Sequence, residues 1–141
     1  MKFPYLDDKK PLEFSSLALA YIGDAVYEVY VRSYLLEGGN IPVKNLHRLS
    51  IDYVCAGAQS NIVHKLEPHL TEEEMAVYKR GRNAHSNTSA KNAGIVDYRH
   101  ATGFEALIGY LFISKSYDRL NEIIRLSFEI ANRDTEEESN E

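Results

Sequence analysis

The sequence predicts an all-α domain, on three observations. Residues 17–36 (LALAYIGDAVYEVYVRSYLL) and 95–113 (IVDYRHATGFEALIGYLFI) are helix-length and apolar on nearly every side, as buried helices are. Thr71 and Glu74 stand three apart at the head of a periodic stretch, the mark of a capping box. Nowhere do apolar and polar residues alternate as in a half-buried strand. The expected architecture is about five to seven helices around the central pair 17–36 and 95–113.

Residues 1–14 read as an extended entry, because Pro4 and Pro11 oppose helix, and Ser15 or Ser16 supplies an N-cap for the first long helix. Gly38 and Gly39 end it. Pro42 sits at a helix start, and Val43, Leu46, Leu49, Tyr53 and Val54 recur at helical spacing. A helix through Asn61 to Leu66 stops near Pro68. The capping box at Thr71 then opens a helix with acids in its first turn and bases in its last, which suits the helix dipole. Residues 85–94 (HSNTSAKNAG) form a polar loop by composition. Residues 116–133 make a final amphipathic helix, with Leu120, Ile123, Ile124, Ser127 and Phe128 inward.

At 141 residues the chain fits one domain with a sizeable core. Cys55 stands alone, which rules out an internal disulfide and is consistent with a reducing compartment; its apolar surroundings predict burial. The N-terminus lacks the apolar core of a signal peptide, and no long uncharged run suggests a membrane span, so the expected location is the cytoplasm, with no membrane partner. The net charge of −5 argues against a nucleic-acid partner until the acids are located. Five lie in residues 134–141 (DTEEESNE), an acidic tail expected to be disordered behind a folded unit of residues 1–133. Residues 79–100 hold five bases (Lys79, Arg80, Arg82, Lys91, Arg99) and two histidines against Asp97 alone. Charge is segregated, and local sign governs binding.

Asp24, Glu28 and Arg32 fall four apart and form one charged stripe on an otherwise apolar helix. Glu105 is the single acid in FEALIGYLF. If the two apolar helices pack together, with Ala101, Ala106 and Gly109 allowing close approach, Asp24 and Glu105 meet in or beside the core. Unpartnered acids there cost several kcal/mol, about 3–5 when a buried pair loses its partner. Two compensations are open: an arginine on each acid, or a hard divalent cation such as Mg²⁺, which takes one or two carboxylates and keeps several waters. Glu28 either contributes to the cation through water or bridges to Arg32. Lys79, Arg80, Arg82, Asn83, His85, Lys91 and Asn92 form a candidate edge for phosphate contact, against the alternative of a solvated helix end. Tyr27, Tyr30 and Tyr34 read as core or subunit contacts. Arg80 and His85 also match the spacing of metal-independent Arg–His ribonucleases of the HEPN type. A helical module that binds RNA or the ribosome without catalysis is a third reading.

The segment AYIGDAVYE at 20–28 resembles the signature helix of ribonuclease III domains, and FEALIGYLF at 104–112 resembles that family's second catalytic helix. With RGRNAHSNTSAKNA at 80–93 and no length for an appended double-stranded-RNA-binding domain, the chain is similar to the family's short bacterial branch over residues 12–132. The resemblance implies a ribonuclease III endonuclease-domain-like helical bundle. It assigns Asp24 and Glu105 to catalysis and to binding Mg²⁺, with Mn²⁺ as substitute, and Tyr21 to a homodimer contact. The larger enzymes carry acids where Ala20 and Thr102 stand here, and another within 54–59. The implied chemistry is hydrolysis of double-stranded RNA to 5′-phosphate and 3′-hydroxyl ends. The branch's role implies precursor large-subunit ribosomal RNA as substrate, with a ribosomal protein as a further partner.

Overall fold

The computed structural model describes residues 3–84 and 93–139, and the described residues are helical without a strand. Two 3₁₀ turns, Pro4–Leu6 and Pro11–Glu13, precede α1 (Ser16–Leu36); α2 (Val43–Val54), α3 (Ala56–Leu66), α4 (Glu72–Asn83), α5 (Ala93–Ile113) and α6 (Tyr117–Ser139) follow. The prolines thus do not keep the entry extended. Each begins a turn, where its fixed φ and missing N–H cost nothing.

Side-chain caps fix the starts of α1, α3 and α4. Ser15 Oγ accepts from the Ala18 N–H at 3.1 Å, and the Thr71–Glu74 box closes with bonds of 3.1 and 2.9 Å. Gly39, at φ +98°, ends α1 in a left-handed turn that favours glycine. Two bounds differ from the sequence reading. Helix α3 starts at Ala56 rather than Asn61, because Cys55 caps it: the thiol is exposed, not buried, and Sγ accepts from the Ala58 N–H at 3.4 Å. Helix α6 runs past Arg133 to Ser139, and Asp134 bonds to Lys65 and Asn61 of α3.

The centre of the fold is α5, not a symmetric pair. From Ala101 to Ile113 every residue except Glu105 and Tyr110 is buried. Helix α1 buries one stripe, Leu19, Ala20, Gly23, Tyr27 and Val31, and leaves Tyr21 84%, Val29 63% and Leu36 58% exposed. Both helices look apolar all round in sequence, but only α5 is enclosed by α1, α3 and α4. Tyr27 and Tyr34 pack into the core with Tyr53 and Phe128, as side chains of this size do when each hydroxyl finds a partner.

One buried ion pair ties α4 to α6. Arg119 donates to both Glu74 oxygens at 2.8 and 2.7 Å, and to the His69 carbonyl at 2.8 Å. Burial pushes the Glu74 carboxyl up, but the Arg119 guanidinium and the Thr71 N–H outweigh it and leave Glu74 below the usual carboxylate range. A depressed folded value stabilises above the unfolded carboxylate range and loses that contribution as pH falls through the folded value. Arg119→Ala should therefore cost about 2–3 kcal/mol at neutral pH, toward the low end for a buried pair, because its side chain is 25% exposed. In urea unfolding the deficit should narrow below about pH 4. A deficit independent of pH would show that packing, not charge, is lost.

Candidate active site

Helices α1 and α5 run antiparallel with their backbones in contact. A Cβ on Gly23 would lie 1.8 Å from the Glu105 carbonyl oxygen, and one on Gly109 would lie 2.0 Å from the Leu19 carbonyl oxygen. This crossing sets Asp24, the residue after Gly23, against Glu105. Asp24 is exposed and Glu105 half-buried, so the pair sits beside the core and opens to solvent.

Burial, then a hydrogen bond with Asp24, then the charges of Asp24 and Glu28 push the Glu105 carboxyl up to about 8. Among the described residues neither Asp24 nor Glu105 forms an ion pair with a base. The arginine alternative is thereby not realised. Two carboxyls in hydrogen-bond contact cannot both ionise freely; they share a proton, or a cation takes its place. The donor set is oxygen alone, which suits a hard divalent cation with open positions for water and phosphate. No cluster of three or more acidic, histidine or cysteine side chains able to hold a metal occurs among the described residues. Glu28 accepts from Arg32 at 3.4 Å on an exposed turn, a pair of the weak i,i+4 kind.

A family model for the ribonuclease III domain matches residues 17–116. A Brevibacillus brevis protein named Mini-ribonuclease 3 is 52% identical over 114 residues, covering 81% of this chain and 85% of the relative. One of the same name from Symbiobacterium thermophilum is 46% identical over 123 residues, covering 87% and 95%. The chain belongs to the ribonuclease III family, in its Mini-ribonuclease 3 branch. A crystal structure of a Fusobacterium nucleatum protein shares the fold of this ribonuclease III family member at a TM-score of 0.75 and 30% identity, covering 86% of this chain and 98% of the other. As a Mini-ribonuclease 3 the chain is an endoribonuclease.

Two of the positions where the resemblance places further acids in the larger enzymes, Ala20 and Thr102, are turned inward. Ala20 and Thr102 are 8% and 7% exposed, and the Thr102 hydroxyl donates to the Tyr98 carbonyl at 2.8 Å. The basic end of α4 lies close to Glu105 along α5. A Cβ on Gly81 would meet Ala106 Cβ at 2.7 Å and Gly103 Cα at 2.9 Å, so Arg80 and Arg82 flank a contact within one turn of Glu105. Lys79, Arg80 and Asn83 are exposed. Arg82 is half-buried, its guanidinium 5.7 Å from the Tyr78 ring centre and its Nε donating to Asn83 Oδ1 at 3.2 Å. His85, Lys91 and Asn92 lie outside the described residues, as does most of the 85–94 loop.

Sequence reasoning placed Tyr27 as a core or subunit contact, which its burial bears out, but missed Gly23. Tyr27 is fully buried, stands edge-on to Phe104 at 5.0 Å, and donates to the Tyr53 carbonyl at 2.7 Å, so it braces the residues preceding both Glu28 and Glu105. The readable signal was Gly23 itself. A glycine inside a helix costs about 1 kcal/mol against alanine and asks for a packing reason.

Proposed function

We propose that this endoribonuclease hydrolyses double-stranded RNA with Mg²⁺, leaving 5′-phosphate and 3′-hydroxyl ends, and that its substrate is precursor large-subunit ribosomal RNA in the cytoplasm. The observation that supports this most is the convergence of Asp24 and Glu105 with no base paired to either among the described residues. Asp24 and Glu105 are the residues suited to hold the cation, with Glu28 acting through water. Mg²⁺ when bound, or Mn²⁺ in its place, supplies charge neutralisation at the scissile phosphate and activation of the attacking water.

The chain's own residues do the rest. Glu105, whose carboxyl burial and Asp24 hold up, gives up its proton, and the two side chains present their oxygen donors at a fixed separation. The Gly23–Gly109 crossing keeps that separation. Water oxygen bonds to phosphorus in line as the bond from phosphorus to the 3′ oxygen breaks, and that oxygen leaves as a hydroxyl. Lys79, Arg80, Arg82 and Asn83, with His85, Lys91 and Asn92, hold flanking phosphates. A-form RNA is met mainly by shape, through phosphates and 2′-hydroxyls.

The exposed apolar face of α1, with Tyr21 at its head, fits a homodimer with one site per RNA strand. A ribosomal protein that presents the precursor RNA is a further partner in this reading. Residues 1–133 would carry all of the catalytic machinery. No helix of the described residues is long and apolar enough to cross a membrane.

The test is cleavage of end-labelled duplex RNA with Mg²⁺ or with EDTA, reading the product ends. Mg²⁺-dependent cutting to 5′-phosphates supports the reading. Cutting in EDTA to cyclic 2′,3′-phosphates would transfer the chemistry to Arg80 and His85.

A further inference from the structure

The charged stripe of α1 does not stop at the acid pair. Arg32 lies eight residues beyond Asp24, about 12 Å at the helical rise, and lines a groove of about 240 Å³ between α1 and α2. Leu35 and Leu36 of α1 and Val43, Leu46 and His47 of α2 line it together with Arg32. On the outer side of α2, Lys44, His47 and Arg48 are exposed on adjoining positions, and Asp52 is the helix's single acid. Neither Lys44 nor Arg48 forms an ion pair among the described residues. Among the described residues Arg32 pairs with Glu28 alone, an exposed pair worth a few tenths of a kcal/mol that yields readily to a phosphate.

We infer that the outer face of α2, through Lys44, His47 and Arg48 with Arg32 beside them, is a second RNA-contacting surface, separate from the basic end of α4. The inference rests on the reading of this chain as an enzyme of double-stranded RNA. A duplex seated on Asp24 and Glu105 extends well beyond the scissile bond, and a surface 12–18 Å along α1 (about eight to twelve residues) lies within its reach. Lys44 and Arg48, one helical turn apart, take neighbouring phosphates of the duplex. His47 and Arg32 offer donors at the groove mouth for phosphate or 2′-hydroxyl oxygens. The two surfaces together hold the RNA by its backbone, so the contact carries affinity and register rather than base choice.

The test compares the full chain with its Lys44→Gln/Arg48→Gln and Lys44→Arg/Arg48→Lys variants. Binding of a labelled RNA duplex is measured without Mg²⁺ across salt concentration, and cleavage with Mg²⁺. The neutral pair should weaken binding about tenfold and flatten the log–log salt slope by about one per residue removed. In cleavage the loss should fall on KM rather than on kcat. The charge-keeping pair should restore both readouts, which guards against a folding defect. An unchanged Kd and slope overturns the inference, as does weaker binding at an unchanged slope. A neutral pair that dissociates a dimer in sedimentation, with binding lost through that alone, assigns the face to a second copy and also overturns it. If the wild-type chain cuts no duplex RNA, the proposed function fails while the binding comparison still reads the surface.

Discussion

Asp24→Asn should abolish cleavage of double-stranded RNA, with a fall of at least about 10²–10³-fold at saturating Mg²⁺, while the protein stays folded. The carboxylate is exposed and donates nothing to the core. Its amide keeps the size and loses the charge, so what disappears is the second negative oxygen donor facing Glu105. Glu105→Gln should do the same. The two together should cost little more than either alone, because residues that hold one cation act as a unit. Stability supplies the readout that separates function from scaffolding. In the cation-free protein burial first, and then the neighbouring Asp24, push the Glu105 carboxyl up to about 8. Neutralising one should leave the melting temperature in EDTA undiminished, and Mg²⁺ should no longer raise it. An Asp24→Asn protein that melts early and cuts at the wild-type rate when cooled would make Asp24 a structural residue and sink the assignment.

The sequence carried the helices and the acids further than it carried their arrangement. Cap chemistry is local, so Ser15 and the Thr71–Glu74 box were legible, and the acid pair was legible because single carboxylates stand out in apolar helices. The roles of α1 and α5 were not. Both are apolar on all sides, and periodicity cannot tell a helix enclosed by neighbours from one whose outer face, with Tyr21, Val29 and Leu36, is left bare. The start of α3 was missed because a thiol is a rare cap and Gly57 looks like a breaker. The end of α6 was missed for the opposite reason. Its terminal acids oppose the helix dipole, but Asp134 is held by Lys65 and Asn61 from a helix distant in sequence. Tertiary partners decided each case in which a local rule failed. Whether the acids meet an arginine or only each other was likewise a question of three-dimensional neighbours.

Gly23→Ala should be the most damaging substitution away from the acids, and its logic lies in what the new methyl meets. It would stand 1.8 Å from the Glu105 carbonyl oxygen and 2.8 Å from the Gly109 nitrogen, both backbone atoms in the middle of a buried helix. Neither can rotate aside, so α1 and α5 must separate by more than an ångström to approach the usual contact of about 3.5 Å. That separation opens gaps around Leu19, Tyr27, Phe104 and Ile108, which fill the seam. Overpacking alone costs about 1–3 kcal/mol, and the gaps add to it; the gain from replacing glycine in a helix is about 1 kcal/mol. A net loss of about 2–4 kcal/mol is expected. The activity should fall further than stability does, because the displacement opens the distance between Asp24 and Glu105, and an error of about 1 Å in a catalytic constellation can cost 10²-fold. Gly94→Ala supplies the control: it too lies in a helix, α5, but its Cβ would meet nothing within 4 Å. That change should be neutral or slightly stabilising and leave cleavage intact. If Gly23→Ala folds and cuts like Gly94→Ala, the backbone contact is not what sets the acid pair. If it still folds, but cuts only when Mg²⁺ is raised well above the wild-type requirement, the crossing of α1 and α5 is what holds the two carboxylates at the spacing the cation needs.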